Sequence, residues 1–353
     1  MMKGKTTFCV IGWLLTGLTR AALAENSSPE ATRPSTASAL TARVFAARDG
    51  QATTAFKPDA ERIKAMVASA LTNLTAKPTV AEAWRSVAHT NEVIGIKVYS
   101  VPGPNVGTRK AVVAAVVEGL LDAGFPNNNI IVWDRYTAHL RLAGFMELAE
   151  RYGVRVEGAV DAGFDAKTYY DTALIGSLVY GDLEFGSKDE ASGRRSHVSK
   201  LVTQGMTKII NIPPLLNHNS ASTTGNLFSL ALGSVDNLIR FETGPARIAT
   251  AVPEIYALPA LSDRVVLGIT DALVAQYQGE DLSMLHYAVA LNEIWMSRDP
   301  VALDALASEK LEKLRQSRGS VEIPVNWDLY KNAELLQLGV ADTRRIKVID
   351  SEP

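Results

Sequence analysis

The chain has 353 residues, 36 Lys and Arg against 38 Asp and Glu, a formal net charge of −2, and a single cysteine. This near-neutral balance gives no electrostatic footprint for nucleic acid or an anionic membrane surface. One cysteine leaves no internal disulfide, no thiolate zinc site and no cysteine-ligated iron–sulfur cluster.

The first residues read as a secretory signal peptide. Lys3 and Lys5 precede an apolar stretch, Phe8 to Leu18, and Ala22-Leu23-Ala24 closes it with small residues. The apolar stretch is too short for a bilayer span, which needs about 20 residues. Cleavage is expected after Ala24 by the general export route, giving a periplasmic or extracellular protein with no membrane span. Taking the leader cations Lys3, Lys5 and Arg20 from a net −2 leaves −5, and Cys9 leaves too. Residues 25–54, rich in Ser, Thr, Ala and Pro, read as a flexible segment. Residues 55–353 read as a single α/β domain with an irregular insertion at about 161–199.

Apolar residues at Ile63, Met66, Val67, Ala70, Leu71 and Leu74 predict a helix over 59–74, and a second follows at 79–87. Val93 to Tyr99 is a β-branched, buried type of strand. The turn Pro102 to Gly107 leads to a helix capped by Thr108 and ended by Gly124. Ile130 to Trp133 is a strand closing on Asp134. A helix at 142–152, ended by Gly153, and a strand at 154–160 complete β-α-β-α-β. That order implies an open, mostly parallel sheet with helices on both faces, a Rossmann-like three-layer arrangement. Further on, the pattern predicts a helix at 197–204, a helix at 253–261, a strand at 265–270 closing on Asp271, a helix from Pro300 to Arg315 capped by Asp299, a short helix at 333–338 and a last strand at 345–349.

The segment Lys208 to Glu242 organises the site. Ile209 to Leu216 reads as a buried strand stopped by Pro213 and Pro214. The polar loop Asn217-His218-Asn219-Ser220 follows, then Ser222, Thr223 and Thr224 as credible caps of a helix starting near Asn226. A strand end facing a helix N-terminus is where ligands sit in such sheets.

Six ordered stretches, IGIKVYS, GTRKAVVAAVVEGLLDAG, IIVWDR, PLLNHNSASTTGNLFSLALGSVDNLIRF, VLGITDAL and RDPVALDALASEKL, resemble the domain-of-unknown-function 362 family over about residues 90–315. Many members look exported and many carry ferredoxin-type cysteines. This chain has none of those cysteines, so an electron-transfer role does not carry over. Many members also have a lysine just before the histidine and another in the TG-containing helix. Here those places hold Leu216 or Asn217, and Phe228. The likeness supports His218 as a functional residue. Residues 108–134 bear a fainter likeness to the amino-terminal domain of nickel-dependent lactate racemase, which implies fold alone.

The candidate catalytic residues are Lys97, His218 and Asp271. His218 is either base or metal ligand, or it hydrogen-bonds its own loop. Lys97, in an apolar strand, either snorkels to solvent or meets an acid or an anionic ligand. Asp134 and Asp271, read as strand-end carboxylates, join His218 as candidate ligands of a divalent metal, or cap helices. Asp304, inside the helix that starts at Pro300, reads as paired with a neighbour. Gly103, Gly107, Thr108 and Arg109, with Thr223, Thr224, Asn226 and Arg240, are candidate binding residues for a small anion. Arg240 either clamps an anion or pairs with Asp236. The motifs of serine hydrolases (G-x-S-x-G) and zinc proteases (H-E-x-x-H) are missing. Two functions follow: an exported enzyme acting on a small anionic substrate, metal-assisted or not, and a non-catalytic periplasmic module binding a small anion or metal. Mass spectrometry of protein recovered from the producing cell should find an N-terminus at Glu25; a membrane-bound chain retaining Met1 would overturn the export reading.

Overall fold

Successive side chains of a strand point to opposite faces of its sheet, and here both faces are apolar. Ile94, Ile96, Val98, Ile130 and Val132 enter one core, while Tyr99, Ile131, Trp133 and Ile209 enter another. A sheet buried on both sides must carry helices on both, and it does. The computed structural model describes residues 41–173, 193–242 and 244–351. The leader, its Cys9, the segment up to residue 40, and residues 174–192 of the irregular insertion lie outside the described residues.

The strands are β1 (Ala42–Arg48), β2 (Ile94–Val98), β3 (Ile130–Asp134), β4 (Arg155–Gly158), β5 (Phe164–Asp171), β6 (Arg195–Ser199), β7 (Lys208–Ile212), β8 (Pro214–His218), β9 (Val265–Gln276), β10 (Ala288–Ser297) and β11 (Ile346–Ser351). The main sheet runs β11-β1-β10-β9-β7-β2-β3-β4. From β9 to β4 every neighbour is parallel, as is the β11–β1 pair; β10 is antiparallel to both its neighbours. The fold is therefore the expected α/β class. Helices α1 (Ala60–Thr75), α2 (Val80–Val87), α3 (Lys110–Asp122), α4 (Thr137–Leu142) and α5 (Met146–Tyr152) cover the first core. Helices α6 (Asn226–Gly233), α7 (Pro245–Tyr256) and α9 (Trp327–Leu335) cover the second, and α8 (Pro300–Ser317) packs a third with β1 and β10. Among the described residues no helix is long and apolar enough to cross a membrane.

Several local expectations give way to long-range pairing. Residues 42–48, read as flexible, form a strand because Phe45 to Arg48 pair with β10 and Ala42 to Ala47 with β11. The helix read over 142–152 begins only at Met146; a separate helix ends at Leu142, and Gly144, at φ +83°, lies between the two. The helix read at 197–204 is a strand ending at Ser199 and a single π-type turn over Leu201–Gly205. The helix read at 253–261 begins at Pro245, with Pro253 inside it, and a separate turn follows at Pro259–Ser262. The strand read as stopping at Pro213 resumes at Pro214 as β8, beside the second half of β9: Pro214 faces Asp271 and Leu216 faces Gln276. That extension draws Asp271 into the middle of β9 rather than to its end.

Helix α6 is not capped by Ser222, Thr223 or Thr224. Its first amides, Asn226 and Leu227, donate to the Asp304 carboxylate of α8 at 2.6 and 2.8 Å. The neighbours that Asp304 meets are thus the first amides of another helix, which it caps. Gly225, at φ +30°, is required here, because a Cβ would lie 2.5 Å from that carboxyl group. Burial pushes the Asp304 carboxyl up to about 6, against the pull of the Asn226 and Leu227 amides. In the unfolded chain it titrates near its ordinary 3.8, so the native state holds the proton more tightly. The stability it contributes is full below about pH 4 and lost as the pH rises through about 6, by about 3 kcal/mol. Urea unfolding at about pH 4 and pH 7 checks this: the wild-type advantage over Asp304→Asn should shrink by that amount at the higher pH, and an unchanged difference would refute it.

Candidate functional site

The carboxyl ends of β2 and β3 carry Lys97 and Asp134, which no solvent reaches: Lys97 is 0% exposed and Asp134 2%. An ammonium without water needs three acceptors and a counter-charge. Lys97 Nζ finds Asp134 Oδ1 at 2.8 Å, the Val98 carbonyl at 2.6 Å and Ser229 Oγ of α6 at 3.3 Å. The other Asp134 oxygen accepts from the Ser100 amide and hydroxyl at 2.8 and 2.6 Å. Burial lowers the Lys97 ammonium from the ordinary lysine value, and Asp134 opposes it. Burial also pushes on the Asp134 carboxyl, but Lys97 and Ser100 outweigh it and hold that carboxyl below its usual range. Three acceptors around three protons fit an ionised pair. Gly233 makes room for it, since a Cβ there would lie 2.6 Å from Lys97 Cε.

Above this pair opens a cavity of about 320 Å³, walled by Tyr99, Arg135, Phe228 and His218, with Glu242 and Asp281 at its rim, the Asp281 carboxyl turned inward onto the Tyr99 hydroxyl. His218 ends β8, with its ring 4.2 Å from that of Phe228. Its Nδ1 accepts from the Ser220 and Ala221 amides at 3.2 and 3.1 Å. In the neutral ring the proton must then sit on Nε2, which has no hydrogen-bond partner among the described residues. Burial lowers the His218 pKa, and Glu280 and Asp281 only partly oppose it. The Tyr99 hydroxyl donates to Asp281 Oδ1 at 2.6 Å. Burial and that carboxylate raise the phenol well above its ordinary value. Burial likewise raises Asp281, against the Tyr99 hydrogen bond and the pull of His218. Arg135 donates to the carbonyls of Leu232, Val235 and Asp236. No carboxylate lies within ion-pair distance of it among the described residues, although its charge acts on the Glu242 carboxyl in the same cavity, opposing the burial that raises it.

Of the residues singled out in the sequence, Lys97, Asp134 and His218 meet here. The others do not. The Asp271 carboxylate accepts from the Arg109 amide at 2.8 Å and its guanidinium at 3.2 Å, and both residues are buried. The anion expected at the N-terminus of α3 is therefore one of the chain's own side chains. Thr108 does not cap that helix by a side-chain bond; its hydroxyl donates to the Ile212 carbonyl at 2.6 Å and accepts from the Tyr99 amide at 2.8 Å. Gly103, at φ +77°, and Gly107 shape the turn, and a Cβ on Gly107 would lie 2.6 Å from the Gly103 carbonyl. Thr223 and Thr224 donate to the Leu216 and Pro214 carbonyls, and Asn226 donates to Asp304. Arg240 is buried against Ser196 Oγ and the Tyr170 and Thr172 carbonyls, while Asp236 pairs with His197 instead. His218, Asp134 and Asp271 do not form one metal-ligand set: among the described residues no three His, Cys, Asp or Glu gather as one.

Tyr99, Ser229, Arg135 and Asp281 escaped the sequence reading. Tyr99 was findable, because it lies two residues after Lys97 and so on the same strand face. Arg135 directly follows Asp134. Asp281 carried no signal, lying in a polar loop without periodicity.

No family model matches the chain, and no curated protein matches it in sequence. Among solved structures, the crystal structure of a protein from Thermotoga maritima aligns at 12% identity with a TM-score of 0.41, covering 74% of this chain. The chain spans 60% of the length of that protein.

Removing one partner of a buried ion pair strands the other charge, at a cost of about 3–5 kcal/mol. Lys97→Met should therefore lower stability by that order in urea unfolding, and Lys97→Met with Asp134→Leu should recover much of it. A double variant as unstable as the sum of the two single ones would show that the pair does not act as a unit.

Proposed function

We propose that the protein is an exported enzyme that moves protons on a small anionic molecule bound in the cavity over Lys97 and Asp134. The observation that carries this reading is the unpartnered Nε2–H of a neutral His218 beside the Tyr99–Asp281 pair. Asp281, whose carboxyl is raised above its ordinary value, is the base, and the His218 Nε2–H is a donor to the oxygen where charge develops; the two facing one cavity are the minimum for moving a proton. Arg135, whose hydrogen bonds end on neutral carbonyls, supports an anionic group at the inner end of the ligand. Lys97 then acts by position. Its three protons are already engaged, so it builds the floor and supplies no free nucleophile. The same completeness favours the second reading, a periplasmic module that binds a small anion without turnover. The leader Met1 to Ala24 supports export, and the six ordered motifs support kinship with the domain-of-unknown-function 362 family.

The test is calorimetric titration of the mature protein with small mono- and dicarboxylates and phosphate esters, followed by proton-transfer assays on any that bind. Arg135→Ala should weaken binding about tenfold or more, the loss of one charge-assisted contact. In an enzyme, His218→Gln should lower kcat by about 10²–10³ with little change in KM, the loss of one well-placed donor to the developing charge. Binding without turnover would select the module, and binding indifferent to both substitutions would move the site elsewhere.

A further inference from the structure

Asp281 is delivered to Tyr99 by a loop, and a loop holds a side chain only as firmly as its own backbone is held. The loop begins where β9 ends, at Gln276. That residue is 1% exposed, and its amide is spent entirely on the loop. Nε2 donates to the carbonyls of Glu280 and Leu282 at 3.2 and 2.9 Å, and Oε1 accepts from the Met284 amide at 2.8 Å. These three contacts bracket Asp281 on both sides. A second tie joins the loop to the histidine. The Glu280 amide donates to Asn217 Oδ1 at 3.1 Å, and the Asn219 amide donates to Glu280 Oε1 at 2.8 Å. The residues on either side of His218 are thus fastened to the residue before Asp281. Gln276 also lies opposite Leu216, two residues before His218, in the β8–β9 register.

We infer that Gln276 is the positioning residue of the site: with Glu280 as the bridge, it fixes Asp281 and His218 in one geometry across the cavity mouth. This rests on the reading of the cavity as the functional site. A buried amide meeting three backbone groups is unusual at a strand end, where water would satisfy them without fixing the chain. The backbone agrees. Gly279 takes φ +105°, and a Cβ on it would lie 2.9 Å from Met284 Sδ and 3.2 Å from Gln276 Nε2, so the turn is shaped around the latch. Glu280, at φ +49°, holds a left-handed conformation that non-glycine residues seldom adopt without such restraint.

The experiment needs no ligand, so its failure is distinct from a failure of the binding tests. The His218 ring proton is followed by NMR titration, assigned by its loss in His218→Gln. In the otherwise unchanged protein, Asp281→Asn removes a charge that favours the imidazolium, so the His218 midpoint should fall. In the Gln276→Met background the loop loses its latch to β9 and keeps only the Glu280 and Tyr99 ties, so Asp281→Asn should move the midpoint clearly less than in the otherwise unchanged protein. Gly279→Ala disturbs the same latch from outside the core and should uncouple the two residues in the same way, even where Gln276→Met folds poorly. An equal effect of Asp281→Asn in all three backgrounds would overturn the inference and leave Gln276 as packing only.

Discussion

The Lys97 ammonium lies at the end of a central strand with no water around it, and much of the site follows from the need to neutralise it there. Asp134 must end the neighbouring strand at the matching height, which the parallel register of Lys97 with Trp133 arranges. Ser100 must occupy the far oxygen of Asp134, and Ser229 the third proton of Lys97. Helix α6 must come close enough to bring Ser229, so its next turn carries Gly233 where a side chain would strike the lysine. An unpaired charge of either sign in this place would cost several kcal/mol. The floor of the cavity is therefore fully hydrogen-bonded, and the groups with unspent donors or charge lie at its walls and mouth.

A second constraint explains why the cavity is where it is. Helix N-termini at the carboxyl edge of a parallel sheet attract anions. In this protein two of them are already filled, α3 by Asp271 and α6 by Asp304. Both carboxylates are buried and both come from distant segments, so they join layers of the fold. The usual anion sites become structural joints, and open space is left between α6, the ends of β2 and β3, and the loops after β8 and β9.

The sequence made the central sheet legible where local pattern is strong. The β-branched runs at 94–98 and 130–134, each with a polar residue near its end, put Lys97 and Asp134 at one edge without further information. His218 was legible for the same reason, as the polar residue after an apolar run. Asp271 misled because the residues beyond it, Ala272 to Gln276, continue as strand once β8 lies beside them. Its partner Arg109 is 162 positions away, and no local pattern reports such a pairing. Asp304 looked like an ordinary helical acid for the same reason: the amides it binds belong to a helix 77 and 78 positions earlier. Asp281 lies in a loop whose flanking backbone groups are bonded to a glutamine side chain, and contacts of that kind leave no periodic trace.

The parallel pairing of β1 with β11 sets the order in which the chain can become whole. Ala42 and Ile346 are register partners, so one of the first described strands meets one of the last. A chain emerging from the ribosome amino end first must leave that edge of β1 open until residues 346–351 have been made. The core around β2, β3 and β7 draws on nearer segments and can assemble sooner. An unpaired strand edge invites pairing with other chains, and contacts so far apart in sequence form slowly. β11 therefore joins late, and once paired it takes over as the outer edge of the sheet, so the open border passes from the mostly buried β1 to the more exposed Ile346–Ser351.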